Sequence, residues 1–174
     1  LQPQLGGERR EICLLFSDIR GFTSLSESLP PEEVTRLLDR YFSRMVAAIH
    51  AHGGTLDKFM GDGIMAFFGA PQPRDNPCAD AFAAGQTMLA ALAEFNRELA
   101  AEGRAPLTIG IGLHYGAAVV GYIGAADRHE YTAIGDAVNA ASRIEGLTKE
   151  AGYPLLASRA VLDRLPDRDG FVPL

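Results

Sequence analysis

The chain has 174 residues, 47% of them hydrophobic and 22% charged, which suits one globular domain with a core of its own. Its formal net charge is −6, so it lacks the basic surface that binding to DNA or RNA needs, and we expect no nucleic-acid partner. No run of about 18 apolar residues and no basic leader occur, so we expect a cytoplasmic domain.

The chain starts with a polar, glycine-containing stretch that precedes its first apolar run. We predict that residues 1–9 are a linker from an upstream region and that residues 10–174 form the domain. Residues 11–17 (EICLLFS) have the apolar pattern of a buried strand.

A long helix is predicted after the sequence SLPPEE. Apolar residues recur three and four positions apart from Val34 to Ile49, and Pro31 suits the first turn of a helix. Two short strand-like runs follow at 54–59 and 64–69, and the MGDG between them predicts a hairpin.

The second half of the chain predicts a helix over about 76–102 and then a strand over 107–115, where apolar residues alternate. The segment GAAVVGYIG continues this strand, and DRHEYTAIG predicts a loop that leads to another strand. The segment DAVNAASRIEGLTKEAG predicts a helix, PLLAS a short strand and residues 158–164 a short helix.

This order of elements predicts an α+β fold with a ferredoxin-like βαββαβ core and extra C-terminal elements. The sheet is expected to be mostly antiparallel, with helices packed on one face. In this topology the first strand lies centrally, beside the hairpin strands, so the end of the first strand meets the hairpin tip.

Two aspartates occupy the places that this topology brings together. Asp18 ends the first strand, and Asp62 lies between two glycines at the hairpin tip, 44 residues downstream. Carboxylates at adjacent strand ends suit a site for two Mg²⁺ ions, which also take phosphate oxygens and water as ligands. Backbone N–H groups at Phe22 and Thr23, where a helix begins, could hold a phosphate.

These residues alone leave a structural alternative open. Asp18 could cap a helix and Asp62 could occupy a turn, since aspartate commonly does both. The choice between a metal site and these local roles therefore needs evidence from the rest of the chain.

Three motifs in the chain, FSDIRGFT, DKFMGDGIMAFFG and YTAIGDAVNAASRIE, together resemble the class III nucleotidyl cyclases, and the lysine and threonine in them resemble an adenylyl cyclase subtype. The resemblance covers roughly residues 10–170. It implies that Asp18 and Asp62 bind two divalent ions, Mg²⁺ or Mn²⁺, and that the carbonyl of Ile19 helps to hold one of them.

The resemblance also assigns residues to the nucleotide. Lys58 and Thr132 would recognise the purine, Asn139 would orient the ribose, and Arg143 would stabilise charge on the phosphates. Arg128 falls where the family often places another phosphate-binding arginine. On a helix, Asn139 and Arg143 share one face because they are four residues apart.

The hydrogen-bonding groups at the purine positions favour adenine. Lys58 can only donate and fits the N1 acceptor of adenine, whereas the hydroxyl of Thr132 can accept from the amino group. Guanine reverses this pattern, and guanylyl cyclases of the family carry glutamate and cysteine at these positions. Because a threonine hydroxyl can also donate, some GTP turnover would be compatible with this pair.

The resemblance implies conversion of ATP to 3′,5′-cyclic AMP and pyrophosphate, by attack of the ribose 3′-hydroxyl on the α-phosphorus. It also implies a homodimer with composite sites, in which one chain supplies the metal ligands and the other supplies Lys58, Thr132, Asn139 and Arg143. An upstream sensory or membrane domain is expected in the parent protein, which could thus be membrane-anchored. A phosphate-binding lysine near the C-terminus of many members has no counterpart here, so we expect the C-terminal end of the domain to be incomplete.

Three other functions compete with this interpretation. A non-catalytic binding module of the same fold predicts gaps among the site residues, and none occurs at the six central positions. A guanylyl or dual-specificity cyclase predicts turnover of GTP. A diguanylate cyclase predicts a GG[DE]EF-type hairpin, which MGDGI does not match.

Overall fold

A computed structural model describes residues 6–174, so the first five residues of the predicted linker lie outside the described part. The elements are β1 (Gly6–Ile19), α1 (Phe22–Glu27), α2 (Pro31–Ala51), β2 (Thr55–Met60), β3 (Gly63–Phe68), α3 (Pro77–Ala101), β4 (Ile109–Ala125), β5 (Arg128–Ile134), α4 (Asp136–Ala151), β6 (Leu155–Ala157) and α5 (Arg159–Leu162). Over residues 6–174, no helix is long and apolar enough to cross a bilayer.

The strands form one six-stranded sheet in the order β2-β3-β1-β4-β5, with β6 pairing in parallel beside β4. Strand β1 is central and antiparallel to both β3 and β4. The α+β class and the position of the first strand beside the hairpin are therefore confirmed. The pairing of Ser17 with Ile64 places the end of β1 against the hairpin turn.

Helices cover both faces of the sheet, so the expectation that all of them pack on one face is wrong. On one side α2 and α3 pack against alternate residues of the sheet, among them Leu15, Ile64 and Ile111. On the other side, Ala137 and Ala141 of α4 join a smaller cluster. We call this second side the α4 face. Asp18 belongs to it by alternation along β1.

Glycines on β4 allow α4 to lie directly on the sheet. A Cβ at Gly112 would overlap the backbone nitrogen of Glu145, and a Cβ at Gly110 would overlap the hydroxyl oxygen of Thr148. A side chain at either position would therefore displace the helix. The sequence predicts a strand here from its apolar alternation, but the glycines between the apolar residues determine where the helix packs.

Two predicted element boundaries are wrong. Strand β1 begins at Gly6, so residues 6–9 belong to the sheet rather than to a linker, because Gly6 and its neighbours pair with β4 around Tyr122. The segment DRHEYTAIG is not a loop that leads to a strand: most of it is β5 itself, which forms a hairpin with β4.

Substitution of Gly112 tests the close packing of α4. We expect Gly112→Ala to lower the free energy of unfolding by about 1–3 kcal/mol, because the added methyl group displaces helix backbone. Urea denaturation measures this change. Gly146→Ala is the matched control: Gly146 lies within α4 with no atom near its added Cβ, so helix propensity should raise stability by up to about 1 kcal/mol. Equal stability of the two variants would contradict the proposed packing constraint.

Candidate active site

The two predicted carboxylates lie together at one corner of the sheet. The Oδ2 atom of Asp62 accepts a hydrogen bond of 2.9 Å from the backbone nitrogen of Ile19, the residue next to Asp18. Both aspartates are half-buried. A Cβ at Gly63 would be only 3.1 Å from the carbonyl of Met60 and 3.3 Å from that of Ser17, so the turn closes this tightly because position 63 has no side chain.

Glu145 of α4 is a third carboxyl group at this corner, and the sequence analysis did not assign it a role. Burial raises the pKa of Glu145 to about 8, with further contributions from a hydrogen bond to Asp18 and from the negative charges of Asp18 and Asp62, whereas Arg20 acts in the opposite direction. Helical periodicity indicates this position, since Glu145 falls on the same side of α4 as the buried residues Ala141 and Thr148.

Oxygen atoms at this corner are of the kind that divalent cations bind. Asp18, Asp62 and Glu145 do not form a group of three side chains placed as metal ligands, and no other such group occurs among residues 6–174. The atoms that could hold an ion are the carboxylates of Asp18 and Asp62 and the carbonyl of Ile19. Mg²⁺ typically binds in this way, through one or two carboxylates and the oxygens of a substrate phosphate.

The residues predicted to hold a phosphate follow directly along the chain. Gly21 has φ of 66° and allows the chain to turn from β1 into α1. Helix α1 begins at Phe22, and the first amide groups of any helix have no intrahelical acceptor. Phe22 and Thr23 are the first two residues of α1 and follow Asp18 closely along the chain.

The two predicted purine-binding residues lie close together on β2 and β5, and a buried aspartate connects them. The hydroxyl of Thr132 donates to Oδ2 of Asp57 over 2.7 Å, and the ammonium of Lys58 is 3.7 Å from Oδ1 of the same carboxylate. Glu130 is 4.0 Å from that ammonium. Burial raises the pKa of Asp57, although the bonds from Thr132 and Ala133 act against this. Asp57 is a candidate functional residue that the sequence alone does not indicate.

Asn139 and Arg143 lie on the exposed side of α4, as their spacing predicts. Arg143 lines a cleft of about 540 Å³ between the first half of α4 and the β4–β5 hairpin. Arg9 lines the same cleft, and so do the exposed apolar residues Val119 and Ile134. Arg128 is exposed at the start of β5 and does not line this cleft, so the geometry gives it no shared position with Arg143.

Comparison with known proteins places this arrangement in a family. Residues 7–155 match the family described as the adenylate and guanylate cyclase catalytic domain. The chain belongs to this family. Over 170 residues it is 39% identical to adenylate cyclase 1 of Rhizobium meliloti, covering 95% of this chain but only 25% of that protein. The domain thus spans about a quarter of that relative.

Solved structures of cyclases share the fold of this domain. The guanylyl cyclase Cya2 superposes with a TM-score of 0.86 at 43% identity, covering 94% of this chain and 82% of that one. The adenylyl cyclase CyaB from P. aeruginosa also gives 0.86, at 37% identity, over 94% of this chain and 84% of that one. Since the two neighbours differ in the nucleotide that their names imply, the fold alone does not select the base.

The raised pKa of Glu145 predicts how the stability of the metal-free cyclase domain depends on pH. Folded Glu145 keeps its proton to about pH 8, whereas the ordinary value is 4.5, so the folded state binds more protons between these pH values. The free energy of unfolding contributed by this group should therefore fall as pH rises from about 5 to 9. In Glu145→Gln this decline should be weaker.

Urea unfolding at pH 5, 7 and 9 in the presence of a chelator measures this effect. Glu150→Gln, an exposed position on the same helix, is the control and should keep the wild-type pH dependence. Parallel pH profiles for wild type and Glu145→Gln would show that the proton on Glu145 contributes nothing to stability.

Proposed function

We propose that this domain is an adenylyl cyclase, which converts ATP to 3′,5′-cyclic AMP and pyrophosphate. The observation that carries the proposal is the pair of half-buried carboxylates, Asp18 and Asp62, held together at the end of β1. A carboxylate pair beside free helix amides suits the triphosphate of a nucleotide better than it suits a purely structural role.

Asp18, Asp62 and the carbonyl of Ile19 would hold two divalent ions, Mg²⁺ or Mn²⁺. Bound ions of this kind lower the pKa of an attacking hydroxyl and neutralise charge on the phosphates. The amides at Phe22 and Thr23 would bind phosphate oxygens beside them. Helix α1 and the hairpin turn would thus determine where the α-phosphate lies.

Residues on β2, β5 and α4 would bind the rest of the nucleotide. Lys58 would donate to N1 of adenine and Thr132 would accept from its amino group. Asn139 would orient the ribose so that its 3′-hydroxyl faces the α-phosphorus. Arg143 would place a fixed positive charge where negative charge develops in the transition state. Arg128, which is exposed at the start of β5, would bind a phosphate oxygen.

We propose that two copies of the chain build each active site. Large apolar side chains are exposed next to the site residues: Phe59 and Met60 lie between Lys58 and Asp62, and Val119 and Ile134 line the cleft of Arg143. Large apolar side chains exposed beside site residues suit a protein interface. A twofold homodimer would place the metal ligands of one copy opposite Lys58, Thr132, Asn139 and Arg143 of the other.

Regulation of the domain would come from other parts of the parent protein. The Rhizobium meliloti relative is about four times as long as the matched region, which covers 25% of it. We propose that an upstream sensory or membrane region shifts the two copies relative to each other. Displacements near 1 Å can change a rate by about 10²-fold.

Loss of a metal ligand tests the reaction. With ATP and Mg²⁺ or Mn²⁺ we expect wild type to form cyclic AMP and Asp18→Ala to lose more than about 100-fold in rate, because even indirect ligands contribute about 10- to 100-fold. Chromatography of the products measures this. A folded, dimeric wild type that binds ATP without turnover would instead identify a binding module.

Loss of the purine-binding lysine tests the substrate. Lys58→Ala should lower kcat/KM for ATP by about 10- to 100-fold, the range for a hydrogen bond from a charged donor, and should reduce the preference over GTP. The chain contains one other lysine, Lys149, which is exposed on α4, so Lys149→Ala is a matched control without an expected effect. Equal effects of the two substitutions would contradict the role of Lys58.

Mixing of inactive variants tests the composite site. Each composite site takes Asp18 from one copy and Arg143 from the other. In a heterodimer of Asp18→Ala and Arg143→Ala, both substitutions therefore fall in the same site, and the second site stays intact. An equal mixture should recover about a quarter of wild-type activity, since about half of the dimers are mixed. Asp18→Ala mixed with Asp62→Ala is the control and should stay inactive. Without recovery in the first mixture, the site lies within one chain.

A further inference from the structure

Asp57 occupies a break in the pairing of β2 with β3. Leu56 pairs with Ala66 and Lys58 with Met65, so two steps along β2 match one step along β3, and Asp57 is the extra residue of a β-bulge. Its side chain is fully enclosed, with 0% exposure. Although β2 and β5 lie at opposite ends of the sheet order, this side chain contacts β5.

One oxygen of Asp57 fixes the direction of the Thr132 hydroxyl. Oδ2 accepts a hydrogen bond of 2.7 Å from Oγ1 of Thr132 and another of 3.2 Å from the backbone nitrogen of Ala133. A threonine hydroxyl has one hydrogen and two lone pairs. Because the hydrogen points to Asp57, Thr132 can only accept a hydrogen bond from any further group.

The other oxygen of Asp57 faces the lysine. Oδ1 is buried without a hydrogen-bond partner in the described structure, and the ammonium of Lys58 is 3.7 Å away. The side chain of Lys58 is 39% exposed, and its ammonium also lies 4.0 Å from Glu130. The carboxylate of Asp57 therefore attracts the ammonium of Lys58, a hydrogen-bond donor, to a position close to the hydroxyl of Thr132, which can only accept.

We infer that Asp57 is a positioning residue for base selection: it makes Thr132 an obligatory acceptor and holds Lys58 beside it as a donor. The inference rests on the proposed function of the site. Adenine offers an acceptor at N1 and a donor at its amino group, which match this pair. Guanine offers a donor at N1 and an acceptor at O6, so its O6 faces the Thr132 oxygen with no hydrogen between them.

This assignment changes what the Thr132 hydroxyl contributes. A freely rotating hydroxyl would donate to O6 of guanine and accept from the amino group of adenine, and it would discriminate weakly. A hydroxyl committed to Asp57 excludes guanine, because an acceptor that faces another acceptor is desolvated without compensation. Removal of the Thr132 hydroxyl should therefore lower kcat/KM for GTP if the hydroxyl rotates freely, and should raise it if the hydroxyl is committed to Asp57.

Thr132→Val is the first test, since valine keeps the shape of threonine and removes the hydroxyl. If Asp57 fixes the hydroxyl, kcat/KM for GTP rises, kcat/KM for ATP falls, and their ratio falls about tenfold. Cyclic AMP and cyclic GMP are measured separately. A decrease in kcat/KM for GTP in this variant overturns the inference, because it shows that the hydroxyl donates to guanine in wild type.

Substitutions of Asp57 provide the second test. Asp57→Ala frees the hydroxyl and should lower the ATP to GTP ratio about tenfold, whereas Asp57→Asn keeps an oxygen for Thr132 and Ala133 and should keep most of the ratio. In the Thr132→Val background, Asp57→Ala should lose most of its effect on the ratio. If Asp57→Asn and Asp57→Ala lower the ATP to GTP ratio equally, Asp57 has a purely structural role. The same conclusion follows if both rates fall and the ratio stays unchanged. If Asp57→Ala does not fold, the sign test on Thr132→Val decides alone.

The inference and the proposed function can fail separately. If wild type converts neither ATP nor GTP, the proposed function fails, and binding then decides the role of Asp57. The affinities for 3′-deoxy-ATP and 3′-deoxy-GTP, which cannot cyclise, are compared in wild type and Thr132→Val by calorimetry. Tighter binding of the guanine analogue to the variant supports the inference, and weaker binding overturns it.

Discussion

The antiparallel pairing of β1 with β3 is the constraint on which the site depends. This pairing brings together two aspartates that lie 44 residues apart in the sequence. The carboxylate of Asp62 accepts a hydrogen bond from the amide of Ile19, the residue next to Asp18. The end of the central strand and the hairpin tip thereby form one corner. Each later feature of the site, from the amides of α1 to the carboxyl of Glu145, is placed relative to this corner.

A second constraint positions α4. The glycines of β4 leave room for helix backbone, so α4 lies on the face of the sheet to which Asp18 belongs. One side of the helix then turns Glu145 toward the carboxylates, while the other side presents Asn139 and Arg143 to solvent. In the proposed dimer, one helix would therefore serve both sites: its buried side supports the metal ligands of its own copy, and its exposed side faces the nucleotide in the other.

Features with a strong local pattern could be predicted from the sequence, and features that depend on long-range packing could not. Apolar periodicity indicated the long helices and the strands, and the order of elements then predicted the central β1 and the meeting of Asp18 with Asp62. The start of β1 was missed because backbone pairing around Gly6 leaves little trace in side-chain polarity. Asp57 was missed because the bulge that turns it toward β5 depends on the register of β2 against β3, which local sequence does not encode.

The most direct test of the central claim is a crystal structure with Mn²⁺ and 3′-deoxy-ATP, with the metal positions taken from anomalous scattering. We predict two Mn²⁺ ions between Asp18 and Asp62 of one copy and adenine against Lys58 and Thr132 of the second copy. Mn²⁺ bound away from the two aspartates, or adenine held by the same copy that holds the metal, would contradict a composite two-metal site.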